Sequence, residues 1–225
     1  KTFDNKVESD ASVEKSQDNK QKDSGELFTP EMKAQLDTVF ERMEQPLLLK
    51  LYLDERPVSK ELRGYIETLA GLTDKLTVEV RREPTEFAPC VKLCFKDGSD
   101  SGLGFHGVPG GHEFTSFVLG LYNAAGPGQS VEEELRSRIR KISKKVDIKI
   151  MVTLSCTMCP ELVIAAQHIA AISENVTAEV FDIHHFEELK NKYNIMSVPC
   201  MVINEEQVYF GKKNMQQVLE LIEKA

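Results

Sequence analysis

From Phe28 onward, apolar and polar residues follow two kinds of periodicity along the chain. Short apolar runs or strict alternation predict strands, whereas apolar residues three to four apart predict helices. In the first part, helices are predicted at 30–43, 59–69 and 111–123 and strands at 47–53, 76–80 and 90–95, with a return strand after the turn at 97–99. In the second part, strands are predicted at 146–154, 176–182, 198–204 and 207–210 and helices at 160–172, 186–193 and 215–222. Between the two parts, Ser130 and Glu133 have the spacing of a capping box, which predicts a helix through Leu135 and Ile139.

The order of elements is nearly the same in the two parts, and a short sequence repeat supports this. The segment APCVKL at 88–93 mirrors VPCMVI at 198–203, and each is followed by a turn, a strand and a closing helix. The first copy lacks the short third helix, and LDERP at 53–57 stands where the second copy has SCTMCP at 155–160. The pattern therefore predicts two copies of one α/β unit, over residues 28–128 and 129–225.

Residues 1–27 form a lead-in with scattered apolar positions only. Such a segment buries too little apolar surface to offset chain entropy, so it is predicted to be a disordered tail or linker. No apolar stretch is long enough for a membrane span, and no signal peptide is visible.

Charge and cysteine content narrow the function classes. There are 28 Lys+Arg against 36 Asp+Glu, giving a formal net charge of -8, which disfavours nucleic acid as a partner. Five cysteines in 225 residues are too few for a secreted disulfide framework. We therefore expect a cytoplasmic protein with no nucleic-acid or membrane partner.

One cysteine pair has a spacing with chemical meaning, Cys156-Thr157-Met158-Cys159. It lies where a predicted strand passes into a helix, and the helix dipole there lowers the pKa of a thiol. Cys156 is then the exposed nucleophile and Cys159 the thiol that resolves a mixed disulfide. A structural zinc site would need a second ligand pair, and the adjacent His184 and His185, about twenty-five residues further on, fit the usual spacing poorly, so no bound metal is expected.

A proline opens the strand that follows this pair by forty residues. Val198-Pro199 suggests a cis peptide bond packed against the disulfide, which leaves a backbone edge for a protein substrate. We assign substrate contacts to Val198 and Pro199, together with Thr157 and Met158. The cysteines that directly follow the two repeated prolines, Cys90 and Cys200, are predicted to be core residues.

Three motifs give the chain a family resemblance: GVPGGHEFTS at 107–116, SCTMCP at 155–160 and NIMSVP at 194–199. Over residues 29–225 the sequence resembles the N-terminal domain of the F subunit of bacterial alkyl hydroperoxide reductase, a relative of glutaredoxin-like protein disulfide oxidoreductases. The resemblance implies an α/β fold class: two tandem thioredoxin-like folds, with mixed central sheets flanked by helices and only the second fold redox-active. It also implies that Glu113 approaches the disulfide and accepts the proton of the resolving thiol.

The same resemblance implies a dithiol relay. Electrons arrive from a flavoprotein reductase that uses FAD and NAD(P)H and leave to a peroxiredoxin or another disulfide protein. The chain itself is expected to bind no cofactor, because no GxGxxG follows a predicted strand. We expect the reductase to be fused upstream or to be a separate partner. Two alternatives stay open: a stand-alone general protein disulfide reductase, and a non-enzymatic docking adaptor.

Overall fold

The computed structural model describes residues 27–225, and the chain divides into two units, 1–34 and 35–225. The predicted tail falls outside the described residues, except for Leu27. In the described part of the first unit, Met32 N–H donates to Thr29 Oγ1 at 3.2 Å. Thr29 therefore caps the first helix, α1 (Pro30–Arg42), and Pro30 suits its first turn because the missing N–H would have no helical partner there.

The second unit contains eight strands and six further helices, nearly all at the predicted places. The strands are β1 (Leu47–Tyr52), β2 (Leu76–Arg81), β3 (Cys90–Phe95), β4 (Asp100–His106), β5 (Val146–Val152), β6 (Val176–Asp182), β7 (Cys200–Ile203) and β8 (Gln207–Phe210). The helices are α2 (Pro57–Ala70), α3 (Phe114–Ala125), α4 (Glu133–Arg140), α5 (Cys159–Ile172), α6 (Glu187–Lys192) and α7 (Met215–Glu223). Two 3₁₀ turns, Gly111–Glu113 and Ile183–His185, precede α3 and α6.

All eight strands form one mixed sheet in the order β2-β1-β3-β4-β6-β5-β7-β8. In each half the first strand pairs parallel with the second and antiparallel with the third, and the third and fourth form an antiparallel pair. The two halves that share the sequence repeat thus also share the same order and pairing of strands. Helices and strands at these positions confirm two thioredoxin-like halves, while the residue boundary at 128/129 stays a prediction.

The two halves join edge to edge. Strand β4 of the first half runs parallel to β6 of the second, from Leu103 opposite Ala178 to His106 opposite Phe181. On one face of the sheet α3 and α5 pack together, and Gly120 lets them approach closely, since a Cβ there would lie 3.0 Å from Gln167 Oε1. This packing matters for the site because α3 begins beside Glu113 and α5 begins at Cys159.

The predicted capping box at the start of α4 is wrong. Helix α4 begins at Glu133 itself, with Glu132 at the cap position and no side-chain cap hydrogen bond. The segment before α4 is instead bound to the end of α3, because Gln129 N–H donates to Asn123 Oδ1 at 2.8 Å. Along residues 27–225, no helix is both long and apolar enough to cross a membrane.

Candidate functional site

Cys156 and Cys159 form a disulfide, with their Cα atoms 5.6 Å apart. Cys159 is completely buried at the first position of α5, whereas Cys156 is half-buried in the turn before it. A partner can therefore reach Cys156 and not Cys159. This asymmetry matches an attacking thiol and a resolving thiol.

Local backbone bonds place the pair between strand and helix. Strand β5 ends at Val152, and Cys156 N–H donates to Thr153 O at 3.1 Å, closing a tight turn. Pro160 follows Cys159 in the first turn of α5, where a residue without an N–H costs no helical hydrogen bond. Helix α5 begins three residues after Cys156, so the free N–H groups of its first turn lie on the Cys156 side.

The Val198-Pro199 bond is cis, as predicted, and so is its counterpart Ala88-Pro89 in the first half. Pairing of Met151 with Cys200 between β5 and β7 brings the buried Pro199 beside the end of β5, where the cysteine turn begins. Val198 is half-buried and borders a groove of about 340 Å³. The edge that the sequence assigned to substrate thus lies beside the end of the strand that leads into the cysteine turn.

Thr157 and Met158 are exposed in the turn between the two cysteines. Met158 is 52% exposed, and Met196, on the wall of the groove beside Val198, is 84% exposed. Large apolar side chains left in water at a redox disulfide are suited to contacts with a protein surface. Sequence reasoning did not single out Met196, although its place just before Val198-Pro199 was a usable signal.

Glu113 is completely buried at the end of the 3₁₀ turn before α3. Ser116 Oγ donates to its Oε2 at 2.5 Å, while Oε1 has no hydrogen-bond partner within residues 27–225. Burial raises the pKa of Glu113 from 4.5 to about 7, and the hydrogen bond from Ser116 only partly opposes this. A carboxyl group in this state can take up or release a proton near neutral pH.

Backbone contacts hold the Glu113 turn against the cysteine segment. His112 N–H donates to Leu154 O at 2.9 Å, two residues before Cys156. Gly111 has φ +54°, and a Cβ there would lie 2.6 Å from Leu154 O, so only glycine fits without a shift. The same turn lies against α5. The turn that contains Glu113, in the first half, thus packs against the helix that begins at Cys159.

The other three cysteines are free and buried, as predicted for Cys90 and Cys200. Burial raises the pKa values of Cys94 and Cys200 to about 11, which keeps both thiols protonated at neutral pH.

Two polar features at the junction of the halves were missed from the sequence. His106 is buried between Phe87 O, 2.7 Å from Nδ1, and Glu179 Oε1, 3.0 Å from Nε2. Arg56 bridges the halves through backbone carbonyl groups. The only sequence signal for His106 and Glu179 was that each is a polar residue among apolar strand positions. No sequence signal marked Arg56 as a contact between the halves.

A GxGxxG pattern is present in the sequence, but not in the structural context of a dinucleotide-binding turn. Its letters lie at Gly102–Gly107 and run along β4 and its end instead of turning from a strand into a helix. Within residues 27–225, no group of three His, Cys, Asp or Glu side chains is arranged to hold a metal ion.

Comparison with known proteins finds relatives that share the thioredoxin-like fold. A thioredoxin domain family model matches residues 146–223. The crystal structure of the NTD_N/C domain of alkyl hydroperoxide reductase AhpF from Enterococcus faecalis is 37% identical, with a TM-score of 0.82, covering 87% of this chain and 99% of that one. A protein disulfide oxidoreductase from Aeropyrum pernix shares the fold, with a TM-score of 0.73 at 18% identity, covering 86% of this chain and 91% of that one.

A curated relative, the F subunit of alkyl hydroperoxide reductase of Pseudomonas aeruginosa, is 31% identical over 200 residues. The match covers 88% of this chain and 37% of that protein. The chain therefore spans little more than a third of the length of this relative.

Proposed function

Because the chain belongs to the family of the N-terminal domain of the alkyl hydroperoxide reductase F subunit, we propose that it relays two electrons from a flavoprotein reductase to the disulfide of a peroxiredoxin. The observation that carries the proposal is the asymmetric disulfide, with Cys156 reachable and Cys159 buried. FAD and NAD(P)H belong to the reductase, fused or separate, and supply the electrons.

The relay consists of two thiol–disulfide exchanges. In the reduced module the Cys156 thiolate attacks one sulfur of the partner disulfide, whose S–S bond breaks as a mixed disulfide forms and one partner thiolate leaves. The Cys159 thiolate then attacks the Cys156 sulfur. This step releases the second partner thiolate and forms the Cys156–Cys159 disulfide. Two electrons have moved to the partner, and the reductase returns the module to the dithiol.

Glu113 is proposed to take the proton that Cys159 loses when it attacks. Cys159 is completely buried, so water is a poor acceptor for this proton. Glu113 lies in the 3₁₀ turn that packs against α5, the helix that begins at Cys159, has an unpartnered Oε1 within residues 27–225, and has a pKa of about 7 through burial. Its acidity therefore suits proton uptake and release at neutral pH.

Val198, Pro199, Thr157 and Met158 are proposed to bind the protein substrate. An extended segment of the partner pairs with the backbone edge at Val198, while Thr157 and Met158 contact the surface around its cysteine. The exposure of Met158 supports this role.

A coupled assay tests the relay. The full chain is kept in its dithiol form by a flavoprotein reductase and NAD(P)H, the disulfide form of a peroxiredoxin or insulin is added as substrate, and NAD(P)H oxidation is followed. We expect kcat/KM for the peroxiredoxin to exceed that for insulin by about tenfold or more. Cys156→Ser abolishes turnover and Cys159→Ser accumulates a mixed disulfide with the partner, whereas Ser155→Ala, a variant of the neighbouring residue, retains activity.

The alternatives give different results in the same assay. Equal rates with peroxiredoxin and insulin indicate a general protein disulfide reductase. A cysteine pair that reduces neither protein, with a Cys156 pKa near that of an ordinary thiol, indicates a docking adaptor.

A further inference from the structure

In the first half, the edge that corresponds to Val198-Pro199 is already occupied. Arg56 Nη2 donates to the carbonyl oxygen of Ala88, the residue before the cis Pro89, at 2.5 Å. The Val198 carbonyl oxygen in the second half, by contrast, accepts no hydrogen bond within residues 27–225. In the first half, the carbonyl group before the cis-proline is therefore bound by an arginine of the same chain.

Arg56 directly precedes the first-turn proline of α2, as Cys159 precedes that of α5. Its guanidinium reaches into the second half, where Nη1 donates to His185 O at 2.7 Å and Cζ lies 5.5 Å from the centroid of the Phe186 ring. Asp54 orients it from the other side, with Oδ2 2.9 Å from Nε. One planar side chain thus holds a carbonyl group from each half, a geometry that a lysine cannot reproduce.

Aromatic rings close the same junction. His106 stacks on Phe181 with ring centroids 3.9 Å apart and planes at 9°. Phe87 packs edge-on against Phe181 at 5.7 Å and against Phe186 at 6.3 Å. The segment 181–186 of the second half therefore sits on the edge of the first half.

The same segment also contributes to the groove that Val198 borders. Ile183, His184 and Glu187 line the groove of about 340 Å³ together with Met196 and Val198. A movement of the 181–187 segment would change the width of the groove, although it would not touch the disulfide.

We propose that Arg56 is a positioning residue for substrate binding: it fixes the segment 181–187, which forms the wall of a groove that takes an extended peptide of the disulfide protein beside Val198. The ligand class follows from the lining, in which Ile183, Met196 and Val198 offer apolar surface while His184, Glu187 and Lys190 offer polar groups. The groove also continues from the backbone edge at Val198. This inference rests on the proposed function, because it concerns how the same site recognises its protein substrate.

The test compares Arg56→Met with Arg63→Met, a matched control on α2, the helix that Arg56 precedes; Arg63 Nε pairs with Glu67 at 2.8 Å on the surface. In the coupled assay, Arg56→Met is expected to raise KM for the protein disulfide by about tenfold, the factor that corresponds to ~1.4 kcal/mol of binding free energy. The kcat, the rate with the small disulfide DTNB and the reduction potential of the cysteine pair stay at wild-type values. Arg56→Lys restores KM only partly.

Amide hydrogen exchange gives a readout that does not depend on activity. Residues 183–187 are expected to exchange faster in Arg56→Met than in wild type or Arg63→Met, since local opening sets the exchange rate. Unchanged exchange in this segment overturns the anchoring role.

The kinetic results separate the two proposals. If wild type reduces protein disulfides and Arg56→Met has the KM of Arg63→Met, the inference is wrong and the proposed function stands. An equal loss with DTNB and protein also overturns it, because the effect then passes through the cysteines. If wild type reduces no protein disulfide, the proposed function fails and the groove loses its ligand, while hydrogen exchange alone still decides whether Arg56 anchors the segment.

Discussion

Replacing Glu113 by glutamine should remove a pH dependence of folding stability. Burial raises the pKa of Glu113 from 4.5 in an unfolded chain to about 7, so the folded protein favours the protonated carboxyl group. Stability from this group is complete below pH 4.5 and is lost as the pH rises through 7. With those two pKa values, linkage gives a loss of about 2.5 kcal/mol between pH 5 and pH 8, at 1.36 kcal/mol per pH unit.

The assay is urea unfolding of the disulfide form at several pH values, followed by circular dichroism, for wild type and Glu113→Gln. Other titrating groups are the same in both proteins, so the difference between their unfolding free energies isolates Glu113. Wild type should lose about 2.5 kcal/mol relative to the variant from pH 5 to pH 8. Ser116→Ala removes a hydrogen bond that lowers the pKa of Glu113. The loss of stability in this variant should therefore continue to a higher pH than in wild type. Parallel curves for wild type and Glu113→Gln would show that Glu113 has an ordinary pKa.

The remaining predictions concern the junction of the halves and the Glu113 turn. Burial lowers the pKa of His106, but hydrogen bonds with Cys90 and Glu179 outweigh the effect of burial and raise the pKa to about 9. Wild type should therefore be more stable than His106→Gln, with the full difference in unfolding free energy below pH 6.5 and a shrinking difference as the pH rises through 9. Urea midpoints from pH 6 to pH 10 measure this, and a constant difference would contradict it. Gly111→Ala should destabilise by more than about 1 kcal/mol, because its Cβ would meet Leu154 O and φ is positive, whereas the neighbouring Gly110→Ala, with open space around it, should cost far less. Equal unfolding free energies for the two glycine variants would refute the close approach to Leu154.

Regular elements were accessible from the sequence because their signals are local. The predicted strands at 90–95, 176–182 and 207–210 agree with the observed bounds to the residue. The capping-box prediction failed although its pattern is also local, because Gln129 is tied to Asn123 and the chain enters α4 in another conformation. A two-residue pattern therefore carries less weight than an apolar rhythm sustained over a whole element.

The site divides in the same way. Residue type and spacing predict the cysteine pair and the cis-proline edge, whereas Glu113 was predicted as a site residue only through a family resemblance. Its burial and its raised pKa depend on contacts with a segment some forty residues away, such as that of His112 with Leu154. Neither property can be inferred from the neighbours of Glu113 in the sequence.

What the amino-acid sequence alone determined is the order of the elements, their duplication and the residues capable of disulfide exchange, because each depends on short stretches of chain. Only the tertiary structure decided that β4 pairs with β6 to join the two halves, and that Arg56 binds both Ala88 and His185. The physical reason is that these contacts link residues about 30 to 130 positions apart, whose energies depend on burial and orientation that exist only once the chain has folded.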